Sequence, residues 1–424
     1  MKYYNISFFL FILSFFIKLS FQSSFIKLPF KTSTKEPKSY PENLLQNDLE
    51  VTLSIGNPPQ SVDLNLRSKA YTFFITSIKA NIPYATFNDD ISQTLRKETK
   101  NPDTYLNQEY ATGFMIYDSI YINGKEIKDV SLILAHSVNY RESGALGLRL
   151  VEEHESGDYL SFILQMKKAL NLDGYTYMIN YKNDNEGELI IGAYPHMYDD
   201  NYKETDFYYS KAGTIKNNVD WILEFDIIKY DNKTINLINK QGFTQIEFGL
   251  IQAPFRLKKY LNDNFFKNQC NEKFNEKRNI TIFHCPLSFN IANFKNLTFI
   301  LKDIKYEFIL TYEDLFIKEN NEYIFGIVFD ENVDNNYATW ILGKPFMKKY
   351  SLIYDLDRKI IGTYKKNNDE GDKNRINIAL LIVLIILGII VIGLVIFIVY
   401  YLKKPRKGRA FELIDDNYDY FPTE

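Results

Sequence analysis

Residues 49 to 366 are dominated by short runs in which apolar and polar side chains alternate, and this period of two is what most narrows the fold. A strand turns successive side chains to opposite faces, so such alternation marks half-buried strands rather than helices. The runs include Val62, Leu64 and Leu66; Phe114 and Ile116; Ile120 to Ile122; Leu189 to Ile191; Trp221 to Tyr230; Leu297 to Leu301; Tyr306 to Leu310; and Tyr323 to Phe329. Asn123-Gly124 and Asp173-Gly174 punctuate them with turn chemistry. Only two amphipathic helices stand out. One is capped by Asp158 over Leu160, Ile163, Leu164 and Leu170, and the other is opened by Pro254 over Leu257, Leu261 and Phe265. Closely spaced strands with few helices predict a mainly antiparallel, all-β protein.

The ends of the chain carry membrane signals. Lys2 precedes an apolar run from Ile6 to Ile17, too short to span a bilayer and of signal-peptide length, so residues 1–24 are expected to be a leader. Ile376 to Leu402 contains no charge and is long enough to cross the hydrocarbon core, and Lys403, Lys404, Arg406, Lys407 and Arg409 follow at once. Basic residues favour the cytoplasmic side, which predicts a single-pass type I membrane protein. Its large domain is then extracellular, or in the lumen of the secretory or endolysosomal system. The tail, 403–424, holds Glu412, Asp415, Asp416 and Asp419 around Tyr418-Asp-Tyr420-Phe421, a sequence similar to a tyrosine-based trafficking signal but read first as a solvated tail.

Cys270 and Cys285 agree with an oxidising compartment and are expected to form one disulfide. Two cysteines with four scattered histidines do not make a zinc site, and no metal or cofactor is expected. Asn232, Asn279 and Asn296 each open an Asn-x-Thr glycosylation triplet. The 46% hydrophobic and 24% charged fractions belong to a globular protein, and a net charge of -3 supplies no basic field for nucleic acid.

Two distant segments carry a more specific signal. The first runs Ile55-Gly56-Asn57-Pro58-Pro59-Gln60, continues through Val62, Leu64 and Leu66, and ends at Arg67-Ser68-Lys69. The second is Trp340-Ile341-Leu342-Gly343-Lys344-Pro345-Phe346, followed by Tyr350 to Asp355 and Ile361-Gly362. Gly144-Ala145-Leu146-Gly147-Leu148 echoes the second segment within the first half. Together they resemble the pepsin-like aspartic proteases, over about residues 49 to 366. The resemblance implies a bilobal fold in which each lobe carries an Asp-Thr-Gly turn crossed by a later apolar-apolar-Gly. It further implies a short propeptide-like segment at 25–48, an N-terminal β lobe at 49–200, a linking strand at Gly187 to Gly192 and a C-terminal β lobe at 201–366. A linker at 367–375 leads to the transmembrane helix at 376–402.

In that family the first catalytic aspartate stands twelve positions beyond the Ile of Ile-Gly-x-Pro-x-Gln; here that position is Arg67. Aspartic proteolysis needs two carboxylates that share one proton, with hydroxyls to hold them and glycines to let two backbones approach. Only Ser68 of Arg67-Ser68-Lys69 keeps the hydroxyl. Asp63, four residues upstream, reads as a solvated strand residue because the register is pinned by Ile55 to Gln60. In the second half, matching Leu250 to Pro254 puts Gln245 in the aspartate's position, and an alternative register through Gly249 puts Glu247 there. Glu247 would then form an ion pair with Arg67. Tyr105 is the flap candidate over the cleft, with Tyr110 competing.

The expectation is a catalytically inactive homologue that binds an extended peptide or protein segment in its inter-lobe cleft. Arg67 and Lys69 would make an open cleft floor cationic and favour acidic peptides. One alternative is an active aspartic-type endopeptidase using non-standard carboxylates such as Glu247. Another is a structural surface glycoprotein whose cleft is filled by its own side chains.

Overall fold

The computed structural model describes residues 24–33, 42–80, 82–97, 111–138, 143–150, 161–215, 218–237, 240–331 and 339–365. Tyr105, Tyr110, Asp158, the apolar run at 376–402, residues 403–424 and residues 1–23 of the expected leader lie outside them. No helix among the described residues is long and apolar enough to cross a membrane.

The described chain is mostly strand, gathered into a 13-stranded and an 11-stranded sheet with a separate two-stranded pair. The alternating runs become strands close to where the period placed them. Val62, Leu64 and Leu66 are fully buried on the strand Gln60–Arg67, while Ser61 is exposed. The run from Trp221 becomes the strand Ile222–Tyr230, and Tyr323 to Phe329 lies within Glu322–Asp330. Both expected helices form, the first with a later start. It runs Phe162–Leu170 from Ser161 rather than from Asp158, so it covers Ile163, Leu164 and Leu170 but not Leu160. The second, Phe255–Leu261, starts directly after Pro254, whose ring fixes φ and lacks the N–H that a first turn would leave unpaired. Phe265 lies beyond it, in a wider turn over Asn262–Phe266.

Six strands of the larger sheet run in the order Phe207–Lys211, Ile360–Tyr364, Ile353–Asp355, Thr176–Tyr181, Glu186–Ile191 and Ile26–Thr32. This sheet joins the halves: Ile353 pairs with Met178, and Tyr354 with Tyr177. The stretch read as propeptide-like contributes to it directly, since Ile26–Thr32 is hydrogen-bonded to Glu186–Ile191 on one side and to Leu49–Ile55 on the other. Above it, Tyr177 stacks on Tyr354 at 4.6 Å and Trp221 meets Tyr354 edge-on at 5.1 Å. The Trp221 indole N–H and the Tyr177 hydroxyl both donate to the Leu148 carbonyl at 2.8 Å, so first-half backbone is held by one aromatic from each half. Burial pushes the Tyr177 hydroxyl well above its usual range.

In the second half, Cys270 and Cys285 form the expected disulfide, closing a separation of 15 residues. Beside it Phe266 stacks on Phe283 at 4.2 Å. Asn232 and Asn296 are exposed on adjoining turns, where the Asp231 N–H donates to the Asn296 carbonyl at 2.8 Å. Asn279 is only partly exposed and has a left-handed φ of 52°.

Candidate functional site

The two halves build the same local crossing. In the first, Gln60–Arg67 runs parallel to Gly144–Gly147, with Leu66 opposite Leu146 and Arg67 opposite Gly147, and Phe73–Thr76 closes antiparallel on the other edge. In the second, Gln241–Thr244 runs parallel to Trp340–Leu342, with Thr244 opposite Leu342, and Ile251–Pro254 closes antiparallel. One residue further, the Gln245 N–H donates to the Leu342 carbonyl at 3.1 Å. Both crossings need glycine for space. A Cβ on Gly147 would lie 2.4 Å from the Tyr71 carbonyl carbon, and one on Gly343 would lie 2.1 Å from the Leu250 oxygen.

The loops that leave these crossings meet. Ser68 Oγ accepts the Ile246 N–H at 3.3 Å and donates to Glu247 Oε2 at 2.6 Å, and the Ser68 N–H donates to the same carboxylate oxygen at 3.1 Å. The related position in the other loop is Ile246, which has no hydroxyl to return the contact. Glu247 Oε1 is buried, with no hydrogen-bond partner among the described residues. Gln245 is buried at 7% exposure, so the centre sets a neutral amide beside a carboxylate that is held by a serine.

Arg67 is buried as well, and its guanidinium donates to Asp48 Oδ1 at 2.9 Å. This departs from one expectation: Glu247 is held by Ser68 and does not pair with Arg67. Arg67 is paired with Asp48, and Lys69 is exposed. Asp63 accepts the Thr52 hydroxyl at 2.6 Å from across the strand pair, on the exposed side. Among the described residues no group of three or more His, Cys, Asp or Glu is placed to hold a metal ion.

A supporting strap was not legible from the motifs. The turn Glu42–Leu45 and the residues after it lie along the 245–249 loop. The Asn47 N–H donates to the Glu247 carbonyl at 3.0 Å, and Asn47 Nδ2 donates to the Ile246 carbonyl at 2.7 Å and to the Tyr181 hydroxyl at 2.8 Å. The Gly249 N–H donates to the Leu45 carbonyl at 2.9 Å, and a Cβ on Gly249 would lie 2.1 Å from the Leu44 oxygen. Asp48, at the end of the strap, is the residue that meets Arg67. The one available signal was position: these residues directly precede the strand Leu49–Ile55.

The chain matches the family model described as eukaryotic aspartyl protease over residues 50–365. Among curated proteins, plasmepsin VI of Plasmodium berghei is 22% identical over 351 residues, which cover 75% of this chain and 74% of that protein.

Proposed function

Because this chain belongs to the eukaryotic aspartyl protease family, we propose that it is a catalytically inactive, single-pass membrane member. In this reading its inter-lobe cleft holds an extended peptide or protein segment without cutting it. The observation that carries the reading is the pair of crossings, with Arg67 opposite Gly147 and Gln245 following Thr244 opposite Leu342. The matching register of the two crossings supports reading Arg67 and Gln245 at the positions of the family's two aspartates. An arginine engaged to Asp48 and a neutral amide cannot share a proton, activate water or protonate a leaving group. Glu247 is a single carboxylate, and a lone carboxylate does not reproduce a dyad whose two members hold different protonation states. What the family frame retains is a cleft suited to pairing with extended backbone, a binding mode that needs no chemistry.

A second reading has one observation in its favour. The Glu247 carboxylate is fixed by Ser68 where the two loops meet, with one oxygen unused. That reading makes Glu247 the acid or base of a non-standard endopeptidase.

The test is cleavage of a mixed peptide library by the purified chain from acidic to neutral pH. The expected result is no cuts. Cuts that a transition-state-analogue inhibitor of aspartic proteases blocks, and that Glu247→Gln abolishes, would overturn the proposal in favour of the second reading.

A further inference from the structure

The face of the joining sheet near the end of the folded unit carries an aromatic plate, its rings packed around Met178, Ile190 and Ile353. Phe25 stacks on Tyr198 at 4.4 Å, Phe207 and Tyr202 each sit 5.0 Å from Tyr364, and Tyr209 extends the plate from Phe207 at 5.6 Å. Strand alternation sorts these rings to one side: Phe207 and Tyr209 join the plate, while Tyr208 between them turns to Tyr306 at 4.9 Å. The plate is not sealed by the protein. Tyr209 and Met197 are each 42% exposed, and most of the remaining rings are half-buried. Two cations lie over it, Lys27 at 5.3 Å from the Tyr198 ring and Arg358 at 4.6 Å from the Tyr209 ring.

We propose that this plate is a membrane-interface surface that rests on the headgroup region of the bilayer in which the chain is anchored. The inference depends on the membrane anchoring proposed above. Two observations select a bilayer as the occupant. An exposed tyrosine ring such as Tyr209, beside the exposed Met197 and flanked by lysine and arginine, is a combination that settles where hydrocarbon gives way to headgroups. The chain also leaves the folded unit from the plate itself. Tyr364 is one of its rings, Lys365 follows, and only residues 366–375 separate it from the uncharged run that begins at Ile376. Ten residues reach at most about 35 Å when fully extended. A tether of that length holds the surface at a millimolar-scale effective concentration, so a weak interfacial preference suffices. Asp199, Asp200 and Glu204 lie on the connection between the Tyr198 and Phe207 rings, which favours zwitterionic over anionic headgroups.

The full chain reconstituted into phosphatidylcholine nanodiscs tests this with a fluorescent reporter at the plate. The native tryptophans, Trp221 and Trp340, are buried and serve as the unquenched background. Tyr209→Trp is compared with Phe274→Trp, which replaces a 54% exposed ring outside the plate. Brominated phosphatidylcholine is expected to quench the reporter at 209 severalfold more than the one at 274, and Met197→Glu is expected to reduce that difference. Equal quenching, or none at either site, in a chain that resists carbonate extraction overturns the plate and leaves the anchoring intact. A chain that carbonate extracts overturns both. Protection of the 209 reporter from an aqueous quencher without bromine quenching, together with crosslinking between copies, replaces the bilayer by a second copy. Quenching at 209 that appears only with phosphatidylserine present overturns the preference for zwitterionic headgroups.

Discussion

Substituting Arg67→Met probes what an arginine does at the head of the first crossing, opposite Gly147. The Arg67 side chain is 10% exposed and that of Asp48 is 18% exposed, so their contact at 2.9 Å is a mostly buried ion pair. Methionine keeps much of the aliphatic stem but removes the guanidinium, leaving the Asp48 carboxylate short of its cation in a partly desolvated place. Breaking a buried pair from one side costs about 3–5 kcal/mol, whereas exposed pairs contribute about 0–1 kcal/mol. With Asp48 retaining some water contact, the expectation is about 2–3 kcal/mol for Arg67→Met. The double variant Arg67→Met/Asp48→Asn removes both charges and should recover most of that loss, giving a coupling energy of about 2 kcal/mol. Thermal and denaturant unfolding followed by tryptophan fluorescence reads the cycle, with buried Trp221 and Trp340 as probes. Additive single and double losses would refute the reasoning, because they would mean that Arg67 stabilises through its packed stem alone. The same variants should show no peptidase activity, since removing the arginine creates no second acid.

Ser68→Ala removes the hydroxyl that links the two loops and should cost about 2 kcal/mol, the scale of a hydrogen bond to a charged group, as read by denaturant midpoint. Gly249→Ala should destabilise by about 1–3 kcal/mol or more, because its Cβ would meet the Leu44 carbonyl, and faster proteolysis ahead of Leu49 would report release of the strap. Cys270→Ala/Cys285→Ala should lose about 3 kcal/mol relative to the oxidised wild type, the chain-entropy value for a loop of 15 residues, as read by denaturant unfolding without reductant. Burial lowers the pKa of His284 below 6.5, partly offset by its contact with Glu322. Its folded form therefore resists protonation. Stability should fall as pH drops below 6.5 towards the folded value, and His284→Gln should flatten that part of a melting-temperature profile.

Strand content was legible because a half-buried sheet writes its faces into the chain: Val62, Leu64 and Leu66 alternate in sequence and are buried together in the fold. The helix after Pro254 was legible for a similarly local reason, a ring that suits a helix start. The disulfide was legible from the count, since the chain holds only two cysteines to pair. The partners of the site residues were less accessible. Asp48, Asn47 and Glu247 carry no motif, and only the fold brings 47 and 48 against 245–249.

By itself the sequence determined the period, the turns, the two glycine crossings and the absence of Asp-Thr-Gly in either half, all properties of neighbouring residues. Tertiary structure alone decided where the charges went. Arg67 met an aspartate from the strap, and Glu247 met a serine from the other half, 179 positions away. Pairing across such separations depends on which backbones the sheets bring together, and local pattern does not encode it.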